Sequence, residues 1–283
     1  MFKFFANILG YVLNFIYGFV GNYGIAIIIF TLLVKGVMLP ISIKQQKTMK
    51  KTAKIQVKAK EIQEKYANDQ VRQSQELMDL YKKENMSPFS GCLTSIVQIV
   101  LILAVFYLVS SPLTYMKKID YKIIETYVAE LKEEKNVQNI NYPEIAIIKE
   151  KAGEDENVNI NMEFLGLDLS DIPSQDYTDW TVYIIPVLYV TTSLISTRLT
   201  TAMNKKPKEE KNIEKTTDKK DGEDSQEDMM AEMNKQMGIM MPIMTVSIAL
   251  IAPLGLALYW LVSNVLMIGE RLVMDRVFKE EEE

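Results

Sequence analysis

The chain has 283 residues, 48% of them hydrophobic and 24% charged, with a formal net charge of −5, no histidine and one cysteine. The missing histidine excludes Ser–His–acid catalysis and zinc hydrolases of the H-E-x-x-H type, and the lone thiol excludes an intrachain disulfide. A mean hydropathy of +0.01 would suit a soluble protein, but the apolar residues are gathered into long runs with almost all the charge between them, the pattern of a polytopic membrane protein.

The first stretch, residues 1–22, reads MFKFFANILGYVLNFIYGFVGN and sets Lys3, Asn7, Gly10, Asn14, Gly18 and Asn22 near helical spacing among Phe, Ile, Leu and Val. A narrow polar stripe on an apolar helix predicts an amphipathic element lying in the membrane interface. Phe2 to Val20 is also long enough to span, and either arrangement makes the next segment enter from outside. No small-x-small cleavage pattern precedes Gly24, so a cleaved signal peptide is not the expected reading.

The first span is expected over residues 23–44, and it carries Lys35 inside IIIFTLLVKGVMLPISIK. Lys35 lies 11 residues from Gly24 and nine from Lys44, near mid-membrane at about 1.5 Å rise per residue. A lysine there costs about 2.5 to 3.5 kcal/mol on insertion scales, so it should face a wet cavity or a polar partner. From Lys44 to Lys60 there are seven lysines and no acid, which predicts that this end is cytosolic and fixes the remaining topology by alternation.

A cytosolic helical hairpin is expected over residues 45–88, where Ile55, Ala59, Ile62 and Tyr66 form one apolar stripe and Leu77, Leu80 and Tyr81 a shorter one beyond the turn signal Asn68–Asp69. Its lysine-rich surface suits anionic headgroups or ribosomal RNA; the plain alternative is a solvated hairpin whose lysines only fix topology. The second span follows at 89–113, with Cys92 as a small buried residue at its entry and Gln98 about mid-span. An external loop over 114–178 carries 14 acids against seven lysines between Thr114 and Thr178.

The third span, 179–200, offers the hydroxyls of Thr191, Thr192, Ser193, Ser196 and Thr197, for which helix packing or bonding to their own backbone is the alternative use. Residues 201–235 form a charged cytosolic tether, with eight lysines against ten acids from Thr201 to Lys235 and too little apolar surface between Lys205 and Asp228 to fold. Met230, Met233, Met237, Met240, Met241 and Met244 then line one helical face into the fourth span, 236–252. Such a stripe suits adaptable apolar binding or ordinary packing. Ala252–Pro253–Leu254–Gly255 marks a tight turn, so the last two runs are expected to form a hairpin, with the fifth span at 255–273 and an acidic cytosolic tail at 274–283. In the fifth span Trp260 and Asn264 stand four apart, sharing a face with Ser263 nearby.

No G-x-S-x-G, P-loop or dinucleotide fingerprint is present, so neither an enzyme nor a cofactor is expected. A secondary transporter with Lys35 in a mid-membrane ion or substrate site is the alternative of another class, but such folds favour repeated halves and the sequence shows no internal repeat.

The segments GNYGIAIIIFTLLVKGVMLPISIKQQKTMKK, KEIQEKYANDQVRQSQELMDLYKKENMSPFSGCLTSIVQ, FLGLDLSD and APLGLALYWLVSN, in this order, resemble successive signatures of the YidC/Oxa/Alb family of membrane protein insertases. The resemblance implies an all-α membrane protein whose five transmembrane helices enclose a polar groove, open to the cytosol and to lipid and closed outside. It implies nascent membrane proteins and the bilayer as partners, with the ribosome and the Sec translocon as further candidates, no small-molecule substrate, and the bacterial plasma membrane as location. A groove arginine of the family corresponds to Lys35, its second-span glutamine to Gln98, and its last-span Tyr-Trp and Asn to Tyr259, Trp260 and Asn264. Thr192 and Ser193 complete the expected groove lining. Two departures stand out: lysine replaces a planar, bidentate guanidinium, and Thr94 and Val100 stand where the family usually has prolines. The family's basic C-terminal tail is also missing, since three basic residues face six acidic ones after Gly269.

Overall fold

The computed structural model describes residues 2–67, 69–84, 90–204 and 243–280. The charged tether from Lys205 to Asp228, the methionines from Met230 to Met241, and the side chains of Cys92 and Thr94 lie outside the described residues.

Helix α1, Phe2–Val20, ends at Gly21, which adopts φ +62 and closes the last turn by donating its N–H to Tyr17 O at 2.8 Å. A left-handed residue costs a glycine little, which is why the chain can stop one helix here and start another at once. Asn22 is the N-cap of the next helix, its side chain accepting from Ile25 N at 3.1 Å. Gly10 faces inward on α1 because nothing larger fits: a Cβ there would stand 1.8 Å from the carbonyl oxygen of Tyr115. The other side of α1 exposes Phe4, Phe5, Ile8, Tyr11, Phe15 and Phe19, a surface made for lipid rather than water.

Helix α2, Tyr23–Lys65, is continuous for 43 residues, about 64 Å at the standard rise and twice the thickness of a bilayer core. No break therefore divides the expected first span from the first arm of the cytosolic hairpin. Pro40 lies within the helix; it removes one backbone donor, and the carbonyl it orphans is that of Gly36, an exposed position. Asp69 caps helix α3, Gln70–Lys83, by accepting from Arg72 N at 3.0 Å. α3 folds back on α2 and covers Ile55, only 2% exposed, and Ala59. Polar contacts tie the hairpin shut: Lys58 Nζ to Glu84 Oε1 at 2.7 Å, Lys51 Nζ to Glu84 O at 2.6 Å and Gln73 Nε2 to Gln63 O at 3.2 Å.

Helix α4, Ser90–Ser110, leads through Pro112 into a single π-helical turn, Leu113–Lys117. The buried side chains of residues 118–183 are continuous with the core of the long helices. Helix α5, Tyr121–Glu134, and helix α6, Pro143–Lys151, contribute Leu131, Ile145, Ile147 and Ile148, joined by Val158, Ile160, Met162 and Leu169. Strands β1, Glu163–Phe164, and β2, Leu167–Asp168, pair antiparallel through the left-handed residues Leu165 and Gly166.

This segment is stitched onto the ends of the long helices. Asn161 O accepts from Tyr23 N at 3.0 Å, Asp171 O from Leu254 N at 2.9 Å, Leu169 O from Gly255 N at 2.9 Å, and Ser174 N donates to Leu250 O at 2.9 Å. The Phe164 ring sits on Gly24, where a Cβ would come within 2.5 Å of it. Helix α7, Ile184–Asn204, follows a short 3-10 turn; helix α8 covers residues 243–251, and helix α9, Leu254–Glu280, begins after Pro253.

Four helical segments among the described residues are long and apolar enough to cross a membrane: Phe2–Val20, Tyr23–Thr48, Trp180–Leu199 and Leu254–Val277, with Gln98–Ser110 a shorter apolar helix. The chain is a mostly helical, multi-pass membrane protein.

Candidate functional site

Packing is tight where the helices meet the 118–183 segment and loosens toward the hairpin. On α2 the inward face Tyr23, Ala26, Ile27, Phe30, Thr31 and Val34 is buried, and no described side chain beyond Val34 is buried again until Ile55 in the hairpin. On α9 Leu254, Leu256, Ala257, Leu258 and Tyr259 are buried, whereas positions 260–273 are half-buried or exposed. Among the described side chains of α4, residues 98–110, the buried ones lie in its last turns, Ala104, Val105, Leu108 and Val109 among them, and on α7 Ser196 is the only described side chain buried after Pro186.

Lys35 stands at the point where burial stops, one residue after Val34 and 12 after Tyr23, about 18 Å along the helix. α2 packs beside α9. The charged groups of α9 that act on Lys35 are Glu270 and Arg271.

α9 contributes two adjacent polar rows. Tyr259, Ser263 and Glu270 form one by helical spacing, and Trp260, Asn264 and Arg271 the other. Ser263 Oγ, Asn264 Nδ2 and Glu270 Oε1 are buried without a hydrogen-bond partner. Buried polar atoms are almost always satisfied, so three on one stretch of helix mark a place where water or a polar chain segment belongs. Arg271 reaches across to α7, donating from a guanidinium nitrogen to Ser196 O at 3.1 Å and Ser196 Oγ at 3.3 Å. Two turns back along α7 from Ser196, the Tyr189 ring lies against that of Trp260, 5.4 Å between centroids and tilted by 32°.

The expected α7 hydroxyls divide. Thr192 Oγ1 turns back to Leu188 O and Tyr189 O, both at 2.9 Å, and Thr191 and Thr197 likewise bond the carbonyls of Val187 and Ser193. These side chains serve their own helix. Ser193 and Gln98 are half-buried. Ser196, one of the hydroxyls expected on α7, is engaged by Arg271, and Glu270 and Arg271 are the polar groups that a reading ending the groove at Asn264 passes over. Their signal was the seven-residue interval, two helical turns, from Ser263 to Glu270 and from Asn264 to Arg271.

Nothing in this arrangement suits metal chemistry: among the described residues no group of three or more His, Cys, Asp or Glu side chains could hold an ion. What it offers is hydrogen-bonding capacity and mixed charge inside an otherwise apolar bundle.

Comparison with known proteins decides the family. The family model described as 60Kd inner membrane protein matches residues 15–282 of this chain. The chain belongs to that family. Among similar curated proteins, the "Membrane protein insertase YidC" of Wigglesworthia glossinidia brevipalpis is 44% identical over 98 residues, 35% of this chain and 18% of the relative. The protein of the same name from Syntrophus aciditrophicus (strain SB) is 51% identical over 87 residues, 31% and 16% of the two chains. That of Francisella tularensis subsp. novicida is 37% identical over 107 residues, 38% and 19%. The matched stretches thus span less than a fifth of the length of these relatives, while the family match runs through all the long helices from α2 to α9.

Proposed function

We propose that this member of the family is a membrane protein insertase and folding chaperone, working without covalent chemistry. Its five spans are α2, α4, α7, α8 and α9, and they enclose a polar groove open toward the cytosol. A short hydrophilic segment of a client enters the groove, and the attached apolar helix slides along its lipid-facing side and leaves into the bilayer. The observation that carries this reading is the loss of packing beyond Val34 on α2 and Tyr259 on α9, at the level where Lys35 and the unpartnered Ser263 and Asn264 stand. An apolar bundle that fails to close around polar atoms provides a half-way hydrated path, and that path lowers the cost of moving polar groups through hydrocarbon.

In this reading Lys35 attracts acidic and carbonyl groups of the passing segment, while Gln98, Thr192, Ser193, Tyr259, Trp260 and Asn264 keep the groove wet. The hairpin of α2 and α3 faces the cytosol with its lysines and receives the client, and the ribosome and the Sec translocon are candidate donors. The C-terminus is cytosolic and the membrane is the plasma membrane. α1 lies along the outer face: Asn7 accepts from Lys118 Nζ, Tyr17 Oη accepts from Asn161 N at 2.9 Å and Asn22 donates to Glu163 O. Contacts with the 118–163 segment from Asn7 through Asn22 favour that orientation over a helix running down into the bilayer.

The purified full chain in liposomes, presented with a single-span client, tests the proposal by protease protection. Client protection well above protein-free liposomes is expected. Protection no greater than in empty liposomes would overturn it.

A further inference from the structure

Glu270 is the acidic group of the groove, and attraction of acidic and carbonyl groups by Lys35 leaves it without a role. It stands 16 residues into α9, about 24 Å from the closed end, against about 18 Å for Lys35 on the neighbouring helix. The flexible lysine stem covers a difference of that size, and Glu270 is the first of the α9 charges to act on Lys35. Among the described residues no ion pair joins the two, and Glu270 Oε1 is buried with no hydrogen bond at all. Arg271, the adjacent cation, is already directed onto Ser196 of α7. A cation and an acid of neighbouring helices thus act on each other without forming an ion pair, and one oxygen of the acid is buried and unbonded.

We infer that Glu270 is the acceptor half of a bipolar client site, opposite Lys35, which binds peptide N–H groups and cationic side chains of the translocated segment. The inference rests on the insertase reading and names the substrate chemistry of its groove. Every peptide unit brings one donor and one acceptor. A lysine alone satisfies the acceptors and repels basic segments, and each N–H it leaves unpaired away from water is costly. A lysine and a carboxylate facing the same space satisfy both halves of an extended backbone whatever its sequence, and they admit arginine and lysine side chains as well as acidic ones. Glu270 is thus a specificity determinant: it sets the tolerance for basic segments, and its charge moderates the hold of Lys35 on acidic ones.

The test uses the full chain in liposomes and three single-span clients that differ only in an acidic, neutral or basic translocated segment. Glu270→Gln keeps size and one acceptor oxygen and removes the charge. It should lower insertion of the basic client several-fold relative to the neutral one and leave the acidic client unchanged or improved, with Glu270→Asp restoring the wild-type order. An equal change for all three clients, or none, would overturn the inference. The insertase reading fails separately, if the wild type inserts no client above empty liposomes. A wild type that inserts, with Lys35→Leu selective by client charge and Glu270→Gln not, rejects the bipolar site alone. A second measurement needs no variant: a photocrosslinker beside the basic residue of a stalled client should react with α9 around Glu270, and exclusive reaction with α4 or the 118–183 segment counts against the site.

Discussion

Lys35 sits one position round from Val34, the last buried residue of α2 before the hairpin, with Glu270 and Arg271 as the α9 charges that act on it. Lys35→Arg should preserve insertion, because charge and reach are kept. Lys35→Leu should reduce insertion of clients with acidic translocated segments more than of neutral ones, read by protease protection in the same vesicles. Taken alone, loss of a central lysine relieves about 2.5 to 3.5 kcal/mol on insertion scales, but here it also removes one of the cations that act on Glu270. The gain in stability is therefore expected in the double variant Lys35→Leu/Glu270→Gln, which should unfold at a higher temperature than the wild type while inserting acidic clients poorly. A lower unfolding temperature of the double variant would make Lys35 a structural residue. The sequence announced Lys35 because one charge in an apolar run is conspicuous. It did not announce Glu270, which falls near the end of the expected fifth span among the mixed charges that follow Gly269.

At the scale of elements, α6 is fastened to the π-helical turn that follows α4 by a buried carboxylate. Glu144, 6% exposed, accepts from Thr114 N at 2.9 Å and Thr114 Oγ1 at 2.7 Å. Burial holds its pKa above the ordinary carboxylate range, against the opposing pull of the Thr114 bonds. A folded-state pKa raised above the unfolded value of about 4.3 means that the folded state binds the proton more tightly, so stability rises as pH falls from neutral through the folded pKa toward the unfolded one. Glu144→Gln carries no charge and should lose this dependence. Thermal unfolding between neutral pH and pH 5 should therefore show the wild type gaining on Glu144→Gln as the pH drops, and parallel curves would refute the assignment. Glu144→Ala, which strands the Thr114 N–H, should cost about 1 to 3 kcal/mol at any pH in that window. None of this was legible in the sequence, where 114–178 reads as an acidic loop: its core is assembled from short elements with weak periodicity, and Glu144 is one acid among 14.

Across the whole molecule, the 118–183 segment closes one end of the helix bundle, and the groove reading requires the other end to admit water. In a Cys92→Ser background, a cysteine at Asn264 should react with a membrane-impermeant maleimide from the cytosolic side, and one at Leu256, fully buried at the closed end, should not react from either side. Labelling of position 264 from the outer face alone would reverse the proposed topology. Cys92 is replaced so that the introduced thiol is the only one in the chain.

Hydropathy, lysine placement and the motif order determined by themselves that this is a helical membrane protein of its family, because a bilayer reads apolar length and charge directly, with little need for long-range contacts. The turn at Pro253 and the stripe of Ile55 and Ala59 are local signals of the same kind, set by backbone geometry and period. Only the tertiary structure decided which polar residues are spent and which are available. Thr192 and Thr191 turn to their own backbone, Ser196 is taken by Arg271, and Ser263, Asn264 and Glu270 are left buried and unmatched. Whether a hydroxyl or carboxylate on a helix finds a partner depends on what the neighbouring helix brings opposite to it, and that pairing between segments distant in the chain has no trace in the periodicity of either one.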